Sequence, residues 1–251
     1  MNAISILMYH QVGKFSRVDS HRANFCDYRR FQWQMAYLHY FGYRVLSMTE
    51  ALACVNGDME IPPRSVVLSF DDGYENFYDY AFPVLQRYQF PATVYMIADM
   101  IDQTANWMKN ISPGEAPRLM SLKQLQTIST AGIEIGSHTL SHAKLAELEP
   151  AKQYQEIFNS KHILEQKLER EIQHFCYPYG SFNNDAIQNT RKAGYHSAVT
   201  CLRGGMTTED DPFVLPRKAI SYGDTLPGFI WKLTMKNAPK PELQAWRAHR
   251  V

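Results

Sequence analysis

Ser65-Val66-Val67-Leu68-Ser69-Phe70-Asp71-Asp72-Gly73 is an apolar, β-branched run that ends in two adjacent carboxylates and a glycine. Successive side chains on a strand point to opposite faces, so Asp71 and Asp72 can share one place only if the strand stops there and the backbone turns, which Gly73 permits. Like charges this close raise one another's pKa unless a cation or a hydrogen-bond donor compensates them. The pair therefore predicts a metal site, and Ser137-His138-Thr139-Leu140-Ser141-His142 supplies the rest of it. Two histidines four apart lie on the same side of a helical turn or of a tight loop. With Asp72 they complete a two-histidine, one-carboxylate set that leaves Asp71 free to act as a base.

Outward from this stretch the chain alternates between strand-like and helix-like segments. Upstream, Ala3 to Met8 reads as a strand that ends at Tyr9-His10-Gln11-Val12, and a polar, arginine-rich connection follows through Arg30. Phe31, Met35, Leu38 and Phe41 are spaced as on a helix that Gly42 stops, Tyr43 to Leu46 is a second strand, and Ser47 with Glu50 forms a capping box for a helix to Val55. Downstream come a helix over Asn76 to Tyr88 and a strand over Ala92 to Ile97. The aperiodic stretch from Asp99 to Arg118, with Trp107, Pro113, Gly114 and Pro117, reads as a rim or lid. A second capping box, Ser121 with Gln124, opens a helix to Thr130, and Ile133-Glu134-Ile135 leads into the histidines. Leu148 to Leu168 is the longest helix. Phe175 to Tyr177 is a strand ending in Pro178-Tyr179-Gly180, Asn184 to Ala193 a helix, Ser197 to Thr200 a strand, Leu215 to Ile220 a last strand and Leu226 to Met235 a last helix. Residues 1–237 are expected to form one catalytic domain and 238–251 a peripheral tail. His10, Asp71, Asp72, His138 and Tyr179 fall just after a strand, and Arg217, within the last strand, is grouped with them. In a (β/α) barrel the carboxyl ends of the strands build the active site, so the shared address predicts an α/β barrel.

Composition narrows the function classes. The 251 residues, 45% of them hydrophobic, suit one sizeable core. A net charge of +1 with mixed signs excludes the basic stripe of a nucleic-acid binder. No apolar run approaches the roughly 18 residues of a membrane span. The N-terminus has no basic region before its apolar run, so it reads as a first strand rather than a signal peptide, and the expected compartment is the cytoplasm. Cys26, Cys54, Cys176 and Cys201 form no C-x-x-C pair and are expected as buried free thiols, with Cys176 packed silently beneath the site.

At these motifs the chain resembles the polysaccharide deacetylases with a NodB homology domain, carbohydrate esterase family four. That family's T-F-D-D-G stands here as Ser69 to Gly73, its H-[ST]-x-x-x-H as His138 to His142, and its R-x-P-Y, in altered form, as Cys176-Tyr177-Pro178-Tyr179. The resemblance covers roughly residues 3 to 220. Leu7 to His10, Tyr177 to Gly180 and Leu215 to Arg217 are similar to a subgroup of poly-N-acetylglucosamine deacetylases in which an N-terminal histidine replaces the usual C-terminal one by circular permutation. The resemblance implies a distorted (β/α)7 barrel and a metal-dependent hydrolase that removes N-acetyl groups from a sugar or polysaccharide, such as an exopolysaccharide. It implies a divalent ion, zinc before cobalt, nickel or iron, on Asp72, His138 and His142, with Asp71 as base, His10 as general acid and Arg217 as the partner of Asp71. A backbone N–H near Tyr179 would face the oxyanion. Tyr74, Trp107 and Pro178 are substrate-binding candidates, with Tyr9 and Tyr222 as further stacking aromatics. An N-acetylated carbohydrate is the expected partner, cytoplasmic or lipid-linked at membrane-associated polysaccharide assembly.

The departures matter too: Cys176 stands where the family has arginine, and no D-x-x-D-W or terminal L-x-H motif is found. Other readings are a non-catalytic carbohydrate-binding member, an amidase for a non-sugar C–N bond, and a non-haem iron oxygenase. The residue order argues against the oxygenase, because its facial triad usually places the acid two residues after the first histidine.

Overall fold

Parallel strands covered by helices are buried on both faces, so they read as continuous apolar runs rather than as alternations. Ser65–Phe70 is such a strand, buried at every position. In the computed structural model, which describes residues 3–111 and 115–248, it lies in the middle of the main sheet. Pro113, Gly114 and residues 249–251 of the expected tail lie outside the described residues.

In chain order the strands are β1 (Ser5–Tyr9), β2 (Gln11–Gly13), β3 (Phe25–Asp27), β4 (Arg44–Leu46), β5 (Ser65–Phe70), β6 (Thr93–Met96), β7 (Glu134–Ser137), β8 (His174–Cys176), β9 (Ser197–Val199) and β10 (Lys218–Ala219). The α-helices are α1 (Tyr28–Tyr40), α2 (Met48–Asn56), α3 (Phe82–Tyr88), α4 (Leu122–Thr130), α5 (Pro150–Leu168), α6 (Asn184–Lys192), α7 (Leu226–Met235) and α8 (Pro241–Ala248). The main sheet runs β10-β1-β5-β6-β7-β8-β9, all parallel, with β4 beside the first half of β5. One short segment closes it. Leu215 bonds to β9 through its N–H to Ala198 and its carbonyl from Thr200, and three residues on, Lys218 and Ala219 pair with Leu7 and Met8 of β1. The expected seven-stranded barrel is thereby met, with β4 as an extra strand and β2–β3 as a separate parallel pair.

Period-two alternation divides the buried residues into two layers. Ile6, Val67, Tyr95, Cys176 and Val199 belong to one cluster, joined by α2, and Leu7, Leu68, Val94, Phe175 and Ala198 belong to the layer that packs under the other helices. Both expected capping boxes are present, on Ser47 with Glu50 and on Ser121 with Gln124. Three expectations change. The helix after the aspartates opens with a π-helical stretch, Phe77–Ala81, before α3. The last strand shrinks to two residues. Within the expected peripheral tail, α8 buries Leu243, sets Trp246 against Phe182 at 5.1 Å and ties Arg247 to the buried Asp210 at 2.8 Å, because charged residues four apart from an apolar one hid a docked face. Among the described residues no helix is long and apolar enough to cross a membrane.

Candidate active site

The end of β5 turns as the two carboxylates require, and it does so earlier than expected. Asp71 is still extended from the strand, its N–H bonded to Tyr9 O of β1, and it points to the same side as Ser69 two residues before. Asp72 itself takes the left-handed conformation, φ 71, and Gly73 follows at φ 74. Asp tolerates that region better than most residues, so two consecutive left-handed positions swing the second carboxylate back beside the first. At Gly73 a Cβ would lie 2.1 Å from Met96 Sδ, so a side chain there would have to displace Met96 as well as adopt a left-handed backbone.

The histidines sit in a tight loop, not on a helical turn. Thr139 and His142 both have positive φ, and His142 N–H donates to Thr139 Oγ1. His138 Nδ1 lies 2.8 Å from Cys176 O, which leaves its Nε2 facing Asp72 Oδ1 at 3.2 Å; His142 Nε2 lies 3.3 Å from the same oxygen. Tetrahedral coordination with metal–ligand bonds of about 2.0–2.1 Å has a ligand-to-ligand edge of about 3.3 Å. These separations therefore fit a divalent ion, and all three side chains are buried. Burial pushes the Asp72 carboxyl up, but hydrogen bonds from His138 and His142 outweigh it and hold the group well below the usual carboxylate range.

Asp71 has a different environment. Arg217, fully buried, grips it through both guanidinium nitrogens, Nη1 to Oδ1 at 2.6 Å and Nη2 to Oδ2 at 2.7 Å. The guanidinium is itself held by Thr200 O at 2.9 Å and Ser69 Oγ at 3.2 Å, and its Nη2 lies 3.2 Å from Cys176 Sγ. Burial raises the Asp71 carboxyl, and the charge and hydrogen bonds of Arg217 bring it below its ordinary value. His10 Nε2 is 3.9 Å from Asp71 Oδ2, the oxygen that Arg217 Nη2 also holds. Thus an ionised, acceptor-only carboxylate, an imidazole and a carboxylate–histidine triad converge at the carboxyl ends of β1, β5, β7 and β8.

The aromatic candidates separate. Trp107 lies 4.8 Å from the His142 ring and Tyr179 4.5 Å from it, both tilted, with the Tyr179 hydroxyl 3.1 Å from His142 Nδ1. Tyr179 is 54% exposed, and its left-handed backbone, φ 59, turns it into the mouth. Tyr74 is not a stacking platform: it is 1% exposed, and burial together with the Asp72 carboxylate keeps its phenol protonated. Tyr9 is likewise buried, donating to Gln34, and Tyr222 lies against Arg30 and Phe15. Pro178 is buried in the turn, where it shapes the backbone rather than offering a surface to a sugar.

Two cysteine expectations also change. Cys176 is not silent, because its sulfur lies 3.6 Å from Asp71 Oδ2 as well as against Arg217; burial pushes its thiol up, so it stays neutral beside them. Cys201 is exposed, whereas the other three are buried. Sequence reasoning passed over Ser69 and Thr200. Ser69 had a signal: it is two residues before Asp71 on one strand, hence on the same face.

Comparison with known proteins gives a consistent answer. The family model described as polysaccharide deacetylase matches residues 58–198. The Bacillus subtilis protein YxkH is 29% identical over 222 residues, covering 88% of this chain and 72% of that protein. The poly-beta-1,6-N-acetyl-D-glucosamine N-deacetylase of Escherichia coli K12 is 26% identical over 239 residues, covering 83% of this chain but only 35% of that enzyme. Among solved structures, the Streptococcus pyogenes deacetylase PplD in complex with acetate superposes with a TM-score of 0.78 at 24% identity, over 92% of this chain and 98% of that one.

Proposed function

Because the chain belongs to the polysaccharide deacetylase family, we propose that it is a metal-dependent N-deacetylase acting on a polysaccharide built from N-acetylated sugars, poly-N-acetylglucosamine foremost. The substrate class follows the name of the E. coli relative, of which this chain matches about a third, 35%. One observation carries the reading: the Arg217-clamped Asp71 stands between His10 and the Asp72–His138–His142 triad.

In this reading residues 1–237 are the catalytic domain, and Asp72, His138 and His142 hold the ion. When bound, zinc, or cobalt, nickel or iron in its place, polarises the acetyl carbonyl and acidifies water. Asp71 accepts the proton of the attacking water as the new C–O bond forms. Arg217 keeps Asp71 ionised and fixed in direction, so the base needs no reorganisation when the proton arrives. The backbone N–H at Tyr179 faces the oxygen on which negative charge develops. His10 donates a proton to the departing nitrogen as the C–N bond breaks, leaving acetate and a free amino sugar. Trp107 and the exposed ring of Tyr179 form the wall on which a pyranose face stacks.

The test is acetate release from a panel of N-acetylated oligosaccharides by protein loaded with zinc, cobalt or nickel, with chelated protein as blank. Metal-dependent release is expected, and Asp71→Asn abolishes it while zinc still binds. A variant that keeps its activity would remove Asp71 from the role of base. No release with the ion bound would point instead to a carbohydrate-binding member or to a non-sugar amide.

A further inference from the structure

Thr139 and His142 both hold left-handed backbones, φ 65 and φ 67, in one short loop. For a β-branched threonine that region is an outlier, and such conformations persist only where their surroundings over-determine them. The loop they form ends with His142 Nε2 3.3 Å from the Asp72 oxygen that His138 also faces.

The two histidines are held differently. His138 continues β7, with its N–H bonded to Met96 O of β6 and its ring Nδ1 2.8 Å from Cys176 O of β8. His142 has no strand to follow, and its Nδ1 meets the hydroxyl of Tyr179, a side chain 54% exposed. The direction of His142 therefore depends on the backbone of the loop that carries it.

Helix α5 grips that backbone. Leu140 N–H donates to Glu156 O at 3.1 Å, and Ser141 gives its N–H to Glu156 Oε2 at 2.9 Å and its hydroxyl to Glu156 Oε1 at 2.7 Å. His142 N–H goes to Thr139 Oγ1 at 2.9 Å, so the three successive N–H groups are all taken, two of them by one residue of α5. Residues four apart on a helix share a face, and four after Glu156 the buried Ser160 Oγ lies 2.7 Å from Ser137 Oγ, at the other end of the motif. Past the end of β6, Ala98 and Asp99 donate to the carbonyls of Thr139 and Leu140 at 3.1 and 3.0 Å. Ser141 is exposed and Glu156 half-buried, so without the carboxylate the Ser141 amide would turn to water and the left-handed residue after it would lose its anchor.

We propose that Glu156 is a positioning residue of the metal site: by taking the amide and the hydroxyl of Ser141 on its two oxygens, it fixes the loop in the one arrangement that points His142 Nε2 at the ion. Glu156 has this role only if Asp72, His138 and His142 are the metal site proposed above, and the test separates the two.

Zinc affinity of the full chain is measured by calorimetric titration, and amide hydrogen exchange over residues 138–142 of the metal-free protein gives a readout that needs no ion. Glu156→Ala is expected to lower zinc affinity by about 10–100-fold, to speed exchange at Ser141 and His142, and to alter the visible spectrum of the cobalt-loaded protein as one ligand loosens. Glu156→Gln restores affinity to within about threefold, because its amide oxygen still accepts from the Ser141 N–H and its NH2 donates to the Ser141 hydroxyl. Ser141→Ala, which keeps the N–H and loses the hydroxyl, falls between the two. Glu149→Ala removes an exposed carboxylate at the start of α5 whose side chain caps nothing, and it changes none of these readings. Wild-type zinc affinity in Glu156→Ala, where His138→Ala loses the ion, overturns the positioning role and leaves the metal site standing. A loss that Glu156→Gln fails to restore also overturns it, because charge rather than grip would then be at work. A wild type that takes up no zinc removes the metal site, and the role of Glu156 falls with it.

Discussion

Replacing Arg217 with methionine probes the centre of the site, because it removes one half of a fully buried ion pair and keeps most of the side-chain volume. In the wild type both carboxylate oxygens of Asp71 are satisfied, at 2.6 and 2.7 Å, and the residue is 3% exposed. Without the guanidinium the carboxylate is left charged and dry, a change that costs about 3–5 kcal/mol. For a domain of this size that corresponds to a melting temperature lower by roughly 6–20 °C. The folded protein can relieve part of the cost by protonating Asp71. In the wild type the Asp71 pKa lies below its unfolded value, so the pair adds stability above that value and the contribution is lost as pH falls. In Arg217→Met the folded pKa is raised above the unfolded value. The penalty is then absent at low pH and grows as pH rises through the window between the two. Urea denaturation of the metal-free proteins from pH 4 to 8 reads both slopes, and the difference between variant and wild type should widen toward neutral pH. Asp71→Asn in the Arg217→Met background should recover most of the loss, because no charge remains to be paired. A loss under about 1 kcal/mol, or a double variant no more stable than Arg217→Met, would refute the reasoning.

Three other outcomes follow from the same geometry. His138→Ala and His142→Ala should each lower zinc affinity by more than about a hundredfold in calorimetric titration, since either leaves two protein ligands where structural precedent needs three; an unchanged affinity would place the ion elsewhere. Burial lowers His174 to about 4, with Nδ1 at Ser197 Oγ and Nε2 at Thr49 Oγ1. The unfolded chain takes up that proton near pH 6.5 and the folded one only near pH 4, so stability should fall by roughly 3 kcal/mol across that window and level off below it, and His174→Gln should flatten the curve. Gly73→Ala combines φ 74 with a contact of 2.1 Å to Met96 Sδ, whereas Gly57→Ala has φ 84 and nothing within 4 Å. The Gly57 variant should therefore lose only about 1 kcal/mol to backbone strain, and the Gly73 variant more than that because Met96 must move as well, with a fall in zinc affinity since Gly73 adjoins the ligand Asp72.

The parts of the site visible in the sequence are those built within a few residues. Asp71 and Asp72 announce themselves because two acids at a strand end need compensation, and His138 with His142 because their spacing suits one ion. The capping boxes at Ser47 and Ser121 are equally local, and both helices begin where those residues stand. Burial is where local reading fails. Tyr74 follows Gly73 and looks as available as Tyr179, yet it is bridged to Leu119, just past the aperiodic stretch, and buried, while the left-handed backbone at Tyr179 exposes its ring. Nothing within five residues of Tyr74 specifies that bridge.

The partner of Asp71 shows the same limit at longer range. Arg217 is 146 residues away in the chain and reaches the carboxylate only because Leu215 to Ala219 closes the barrel between β9 and β1. Its pairing is a property of closure, so a motif resemblance can suggest it but the pattern around Arg217 cannot. Closure also accounts for Cys176. That residue lies on β8 facing inward, at the place where the family motif carries arginine, and its sulfur sits 3.2 Å from Arg217 Nη2. A guanidinium arriving from Arg217 and an arginine at Cys176 would occupy the same volume and bring two like charges to one carboxylate. A small, neutral thiol at Cys176 therefore leaves room for a clamp delivered from the closing strand.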